Sequence, residues 1–141
     1  VRSMAKERGL IVEEIKSSEQ VDFREWLHIR AWAGDEKVSV GGSFFGMAQH
    51  PRIVRLNSQP VEIVPEGILF MMTNKDRPGI VGHLGTVLGK HDVNIANMSL
   101  GRDREGGQAL TALNIDSVPS ADCLAELEAD PDISHIRIVK F

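Results

Sequence analysis

Ile68-Leu69-Phe70-Met71-Met72-Thr73-Asn74-Lys75-Asp76-Arg77-Pro78-Gly79-Ile80-Val81-Gly82-His83-Leu84 carries the sharpest change of pattern in the chain. Its opening residues are apolar without alternation, as in a strand buried on both faces. From Pro78 to His91, Ile80, Val81, Leu84, Val87 and Leu88 recur at about 3.6-residue spacing, which predicts a helix with one apolar face. Downstream, Val93 to Leu100 and Gln108 to Ile115 read as strands. The glycines of Arg102-Asp103-Arg104-Glu105-Gly106-Gly107 suit the hairpin loop between them. Ser120 is placed to cap a second helix, Ala121 to Ala129, with Leu124 and Leu127 inward. Ile133 to Phe141 closes as a strand. The order β-α-β-β-α-β predicts a ferredoxin-like sandwich, with both helices on one sheet face. The other face then needs a cover: the first half of the chain, a second copy, or a further domain.

Upstream, Pro65-Glu66-Gly67 breaks the pattern, because proline cannot continue a ladder and glycine swivels. It divides the chain into residues 1–65 and 66–141. The first part reads mostly as strands, so the fold class is α+β. Gly9 is a plausible helix C-cap, followed by Leu10-Ile11-Val12-Glu13-Glu14-Ile15. Asp22 to Ala33 alternates, Trp26, His28, Arg30 and Trp32 on one side and Leu27, Ile29 and Ala31 on the other. Gly34-Asp35-Glu36 turns into a second strand, Lys37 to Phe45, which His50-Pro51 breaks. Arg52 to Leu56 and Val61 to Val64 pair around Asn57-Ser58-Gln59-Pro60. The start, Val1-Arg2-Ser3-Met4-Ala5-Lys6-Glu7-Arg8, reads as the middle of a helix, which leads us to expect a C-terminal piece of a longer protein.

The 141 residues are 42% hydrophobic and 26% charged, a globular composition. A formal charge of −4 argues against nucleic-acid or acidic-membrane partners. No apolar run approaches the roughly 20 residues of a membrane span, and no signal peptide opens the chain, so a cytoplasmic protein is expected. A single cysteine, Cys123, forms no internal disulfide or cysteine-based zinc site and reads as a small packing residue. His28, His50, His83, His91 and His135 lack metal-ligand spacing, and no nucleotide-loop, nucleophile-elbow or metalloprotease motif is present. No metal and no catalytic residue is therefore expected, and binding becomes the default role.

The strand–helix junction is the strongest local signal. Pro78 fits the first helical position, Asp76 or Asn74 is placed to cap, and Gly79 bares the first-turn N–H groups. Such an end attracts a carboxylate, and Asp76 adds an acceptor for an ammonium, so the pair suits a free amino acid. Plain capping explains the same residues equally well on physics alone. Gly79, Gly82, Gly85 and Gly89 each weaken the helix by close to 1 kcal/mol against alanine, which argues that a ligand or a second backbone comes near. The start of the next strand, Val93-Asn94-Ile95, is expected beside this helix end, and Asn94 offers both a donor and an acceptor.

Asn74-Lys75-Asp76-Arg77-Pro78-Gly79, Val93-Asn94-Ile95-Ala96 and Gly106-Gly107-Gln108-Ala109-Leu110 resemble the ACT domain that ends bacterial D-3-phosphoglycerate dehydrogenases. Ala5-Lys6-Glu7-Arg8-Gly9, Gly42-Ser43-Phe44-Phe45-Gly46, Pro51-Arg52-Ile53-Val54-Arg55-Leu56-Asn57 and Val64-Pro65-Glu66-Gly67 are similar to the intervening, allosteric substrate-binding-like domain of the longer form. The resemblance spans essentially all 141 residues. It implies a regulatory portion that binds L-serine at an ACT–ACT interface for feedback inhibition of the first step of L-serine biosynthesis. Asn74, Asp76, Pro78 and Gly79 then meet the effector, and Asn94 reaches in from a neighbouring subunit. It also implies a dimer through ACT domains, a tetramer in the parent, and an anion site at Arg52 with Arg55 nearby. At Val64 some relatives carry a second basic residue. The chain lacks the family's catalytic and NAD-binding parts, so NAD belongs to the parent oxidoreductase and no cofactor to this chain. An ACT-bearing regulatory segment of another amino-acid enzyme, such as L-serine dehydratase, is the neighbouring alternative. An RNA-recognition module shares the plan but needs aromatic central strands and a basic face.

Overall fold

The computed structural model describes residues 5, 7–9, 11–15, 25–47 and 49–141. Two four-stranded antiparallel sheets organise them. The first is a meander, β1 (Leu27–Ala33), β2 (Glu36–Phe45), β3 (His50–Leu56) and β4 (Gln59–Ile63), paired in chain order. Gly34 (φ 61°) opens the two-residue turn between β1 and β2. Asn57 (φ 52°) opens that between β3 and β4, and its Oδ1 accepts the Ser39 N–H.

Local departures from expectation have local causes. β1 begins at Leu27, with Glu25 and Trp26 ahead of it outside the strand; residues 22–24 of the expected strand lie outside the described residues, as does Leu10. Residues 11–15 form no strand and are exposed. His50-Pro51 begins β3 rather than breaking the sheet, with Pro51 opposite Phe44. The break is the turn around Gly46 (φ 69°) and Gln49 (φ 51°). A bulge opposes Gly41 and Gly42 to residues 53–55. The extra residue puts Ile53 and Leu56, three apart, on one face, and Arg52 and Arg55 on the other.

The second sheet comes from β5 (Ile68–Lys75), α1 (Ile80–Lys90), β6 (Ile95–Arg102), β7 (Gln108–Ile115), α2 (Ala121–Glu128) and β8 (Ile133–Lys140), in the order β6-β7-β5-β8. This is the expected β-α-β-β-α-β plan. Phe70, Met72, Leu84, Val87, Leu88, Leu113 and Leu127 bury one sheet face beneath both helices. Cys123 sits among them, and Ser120 accepts the Cys123 N–H as the expected cap of α2. Leu124 is only partly buried beside the fully buried Leu127.

The opposite sheet face is covered by the first half of the chain. Val61 and Ile63 of β4, with Ile53 and Leu56 of β3, pack on Leu69, Met71, Leu110 and Ala112. That cover is why β5 is apolar at consecutive positions. Asn114 fastens the connection, its Nδ2 donating to the carbonyls of Val64 and Glu66 at 3.0 Å. β4 crosses β6 closely: the Glu62 N–H donates to Ser99 Oγ (2.9 Å), and a Cβ at Gly101 would collide with the Pro60 carbonyl.

Candidate functional site

The junction of β5 with α1 lies at the sheet end where β7 begins. Lys75 pairs with Gln108, and the Asp76 N–H donates to Gly107 O at 2.8 Å, tying the junction to the β6–β7 loop. α1 starts at Ile80 rather than at Pro78. Its N-cap is Gly79, at φ 89° in the left-handed region open to glycine, and among the described residues no side chain caps the first turn. The expected cap from Asp76 or Asn74 is therefore absent, and the first-turn N–H groups are left without the usual side-chain partner. Pro78 and Gly79 are exposed.

Asp76 is spent elsewhere. Its Oδ2 accepts from Arg102 Nη1 at 2.9 Å and from the Gly106 N–H at 3.2 Å. The Arg102 hydrogen bond first, then the Gly106 amide, hold the Asp76 carboxyl below the usual carboxylate range. Arg77, the basic residue of the Arg-Pro-Gly run, clamps the loop before β8: Nε meets Asp132 Oδ2 at 2.6 Å and Nη2 meets Asp130 Oδ2 at 2.7 Å. Arg102 and Arg77 were not singled out as site residues by the sequence. Arg102 closes β6 opposite Ala109, so only the strand register, unknown in advance, reveals that it reaches Asp76.

Asn74 departs from the sequence expectation. It is fully buried, Oδ1 accepting from Thr111 Oγ1 at 2.8 Å and Nδ2 donating to Lys75 O at 3.0 Å. Strand alternation turns it into the sheet while Asp76, beyond the strand end, turns out. Asn94 departs too. α1 runs back along β5, so its C-terminus delivers Asn94 to the far end of the sheet, where Ile95 opposes Ile115 and Ile115 opposes Ile68. Asn94 is exposed and donates to Asp116 Oδ2 at 2.8 Å. Asp76 and Asn94 of one chain are therefore a strand length apart, roughly 24 Å for eight residues. The expected neighbourhood of helix start and Asn94 does not exist within one chain.

The bulge does bring Arg52 and Arg55 to one face of the first sheet. Arg52 is engaged by Glu62 at 3.9 Å and donates to Pro51 O. The Arg55 guanidinium lies 6.0 Å above the Trp26 ring, a cation–π distance. Arg52 also edges a shallow groove with Leu27, Val40, Phe44 and Pro51. Among the described residues no His, Cys, Asp and Glu group has the arrangement of a metal site. Burial pushes the Cys123 thiol up, away from a nucleophilic thiolate. Phe70, the aromatic of the central strands, faces the helices rather than an open sheet face, against the RNA-recognition alternative. Among the described residues no helix is long and apolar enough to cross a membrane.

Residues 68–132 match the ACT domain family. Along 96% of its length the chain is 29% identical to the D-3-phosphoglycerate dehydrogenase of Methanocaldococcus jannaschii and 30% identical to that of Bacillus subtilis. It is 32% identical to that of Mycobacterium tuberculosis over 97% of its length. The chain spans about a quarter of each of these relatives, 25%, 26% and 26% respectively.

Proposed function

Because this chain is an ACT-domain-containing segment homologous to the C-terminal part of D-3-phosphoglycerate dehydrogenases, we propose that it is the regulatory portion of such an enzyme and binds L-serine between two copies. The dinucleotide chemistry, with NAD, then belongs to the rest of a cytoplasmic parent protein, and this chain contributes control of it. The residues dedicated to the effector are Asp76 for the ammonium and the first-turn amides behind Pro78 and Gly79 for the carboxylate. Asn94 of a second copy completes the pocket. Asn74 supports that floor from beneath through Thr111.

One observation carries this reading: the two halves of the expected site sit at opposite ends of the same edge strand. β6 is the outer strand of its sheet, with no strand beyond it among the described residues. From Ile95 to Gly101 it carries no charge, the composition of an edge that accepts a partner strand. Two β6 edges paired antiparallel about a twofold axis would bring the Asn94 end of one against the Arg102 and Asp76 end of the other. Two equivalent pockets follow per dimer. Effector binding then favours one arrangement of the pair, with a coupling of about 1–3 kcal/mol, typical of allosteric linkage.

Thermal melting and sedimentation of the full chain with millimolar L-serine test it. Serine raises Tm by mass action and favours the dimer, whereas Asp76→Ala, still folded, shows neither effect. A folded wild-type chain indifferent to L-serine would overturn the assignment of effector. A shift retained by Asp76→Ala would place the pocket elsewhere.

A further inference from the structure

The Asp76 carboxylate meets a guanidinium 2.9 Å away, from a strand that enters the junction at the end opposite to Asn94. Arg102 is half exposed, and only its Nη1 is engaged by Asp76. A guanidinium carries five N–H donors in a planar fork that matches a carboxylate bidentately. Asp76 is itself fixed on two further sides. The Gly106 amide donates to its Oδ2, and its own N–H donates to Gly107 O. The ion pair is thus a rigid acceptor and a donor fork, side by side, at the mouth of the junction.

Resting on the serine reading above, we propose that Arg102 is the specificity-determining residue of the effector site: it shares the α-carboxylate with the first-turn amides of α1 while Asp76 holds the α-ammonium, so the site selects zwitterionic amino acids over amines. The two charges of an α-amino acid are borne by a single carbon. An ammonium placed on Asp76 therefore carries its carboxylate to within reach of the adjoining guanidinium. Without ligand, the two side chains satisfy each other. With ligand, each exchanges part of that contact for the opposite charge of the zwitterion, and net charge at the junction does not change. An amine that lacks the carboxylate competes with Arg102 for Asp76 and receives nothing in return. The β6–β7 loop gains a role from this arrangement, because Gly106 and Gly107 hold Asp76 in the orientation that leaves the fork facing outward.

The test compares L-serine with L-serinamide, which keeps the ammonium and the hydroxyl but not the negative charge. Dissociation constants are measured by calorimetry and competition for the wild-type chain and for Arg102→Gln, each verified as folded by its melt without ligand. The wild type is expected to prefer serine by about tenfold or more, as a charge-assisted pair implies. Arg102→Gln is expected to lose serine affinity while the serinamide-to-serine ratio falls towards one. Equal losses for both ligands would make Arg102 only a support for Asp76, and unchanged serine affinity would remove it from the site. Either result overturns the assignment while leaving serine binding intact. A wild-type chain that binds neither ligand overturns the serine reading, and this assignment with it.

Discussion

Asn74 and Asp76 sit two residues apart and meet opposite fates. Asp76 directly follows the last residue of β5, and its carboxylate is met from outside the strand by Arg102 and Gly106. Asn74 is enclosed by the sheet, and its Oδ1 has a partner because Thr111 stands nearby on β7. Thr111→Val keeps the shape but strands Asn74 Oδ1 where water cannot reach. The expected cost is about 1–3 kcal/mol for a buried unsatisfied acceptor, read as a lower urea midpoint at unchanged slope. Asn74→Ala combined with Thr111→Val should cost less than the two single changes together, because the second removes a partner already lost. Strict additivity would mean that the hydrogen bond contributes nothing. The sequence shows an Asn and an Asp in a loop-like run and treats both as available. What separates them is where β5 ends, at Lys75, between the two. Hydrophobic pattern cannot locate that boundary, because the last strand residues are polar.

The long helix shows which parts of an element are legible and which depend on its surroundings. Ile80, Leu84, Val87 and Leu88 bury as their spacing predicts. Its start is displaced by two residues because Gly79 caps in a left-handed conformation, a choice the sequence allows without requiring. Its glycines were expected to admit a close neighbour. Among the described residues, a Cβ at Gly82, Gly85 or Gly89 meets nothing within 4 Å. Close approach is real at a different glycine, Gly101 of β6, where the Pro60 carbonyl occupies the space. That contact joins residues from both halves of the chain, and no local pattern announces it. Two substitutions separate the cases. Gly82→Ala, at an exposed position with an ordinary helical backbone, is expected to stabilise the isolated chain by somewhat under 1 kcal/mol. Gly101→Ala is expected to destabilise it, because the obstacle is backbone and cannot rotate away. Chemical denaturation at low protein concentration measures both, and a destabilising Gly82→Ala would show that another part of the molecule needs that helix surface bare.

At the scale of the molecule, the sequence identifies the second sheet from its own periodicities, and it identifies the need for a cover on that sheet's open face. It cannot choose the cover, since Val61 and Ile63 alternate like any half-buried strand. The structure makes the first sheet that cover through a small apolar seam, and the rest of that sheet gains little. Leu27, Ile29, Trp32 and Val38 are each more than half exposed, at 65%, 57%, 63% and 58%. A sheet with so little buried apolar surface sits at the low end of local stability. Amides of β1 and β2 are therefore expected to exchange well before those of β5 and β7. Both tryptophans of the chain, Trp26 and Trp32, report on this sheet alone. Ile63, 1% exposed, is the deepest residue of the seam. Ile63→Ala should weaken the attachment by about 2–5 kcal/mol, the range for truncating a buried aliphatic side chain. The tryptophan transition should then move to lower urea while protection in β5 and β7 persists. If both sheets lose stability in step, the molecule unfolds as one unit. Under the proposed serine reading, the second sheet could then not change its hold on its neighbour without unfolding itself, and the effector's signal would have to leave through the β6 edge instead.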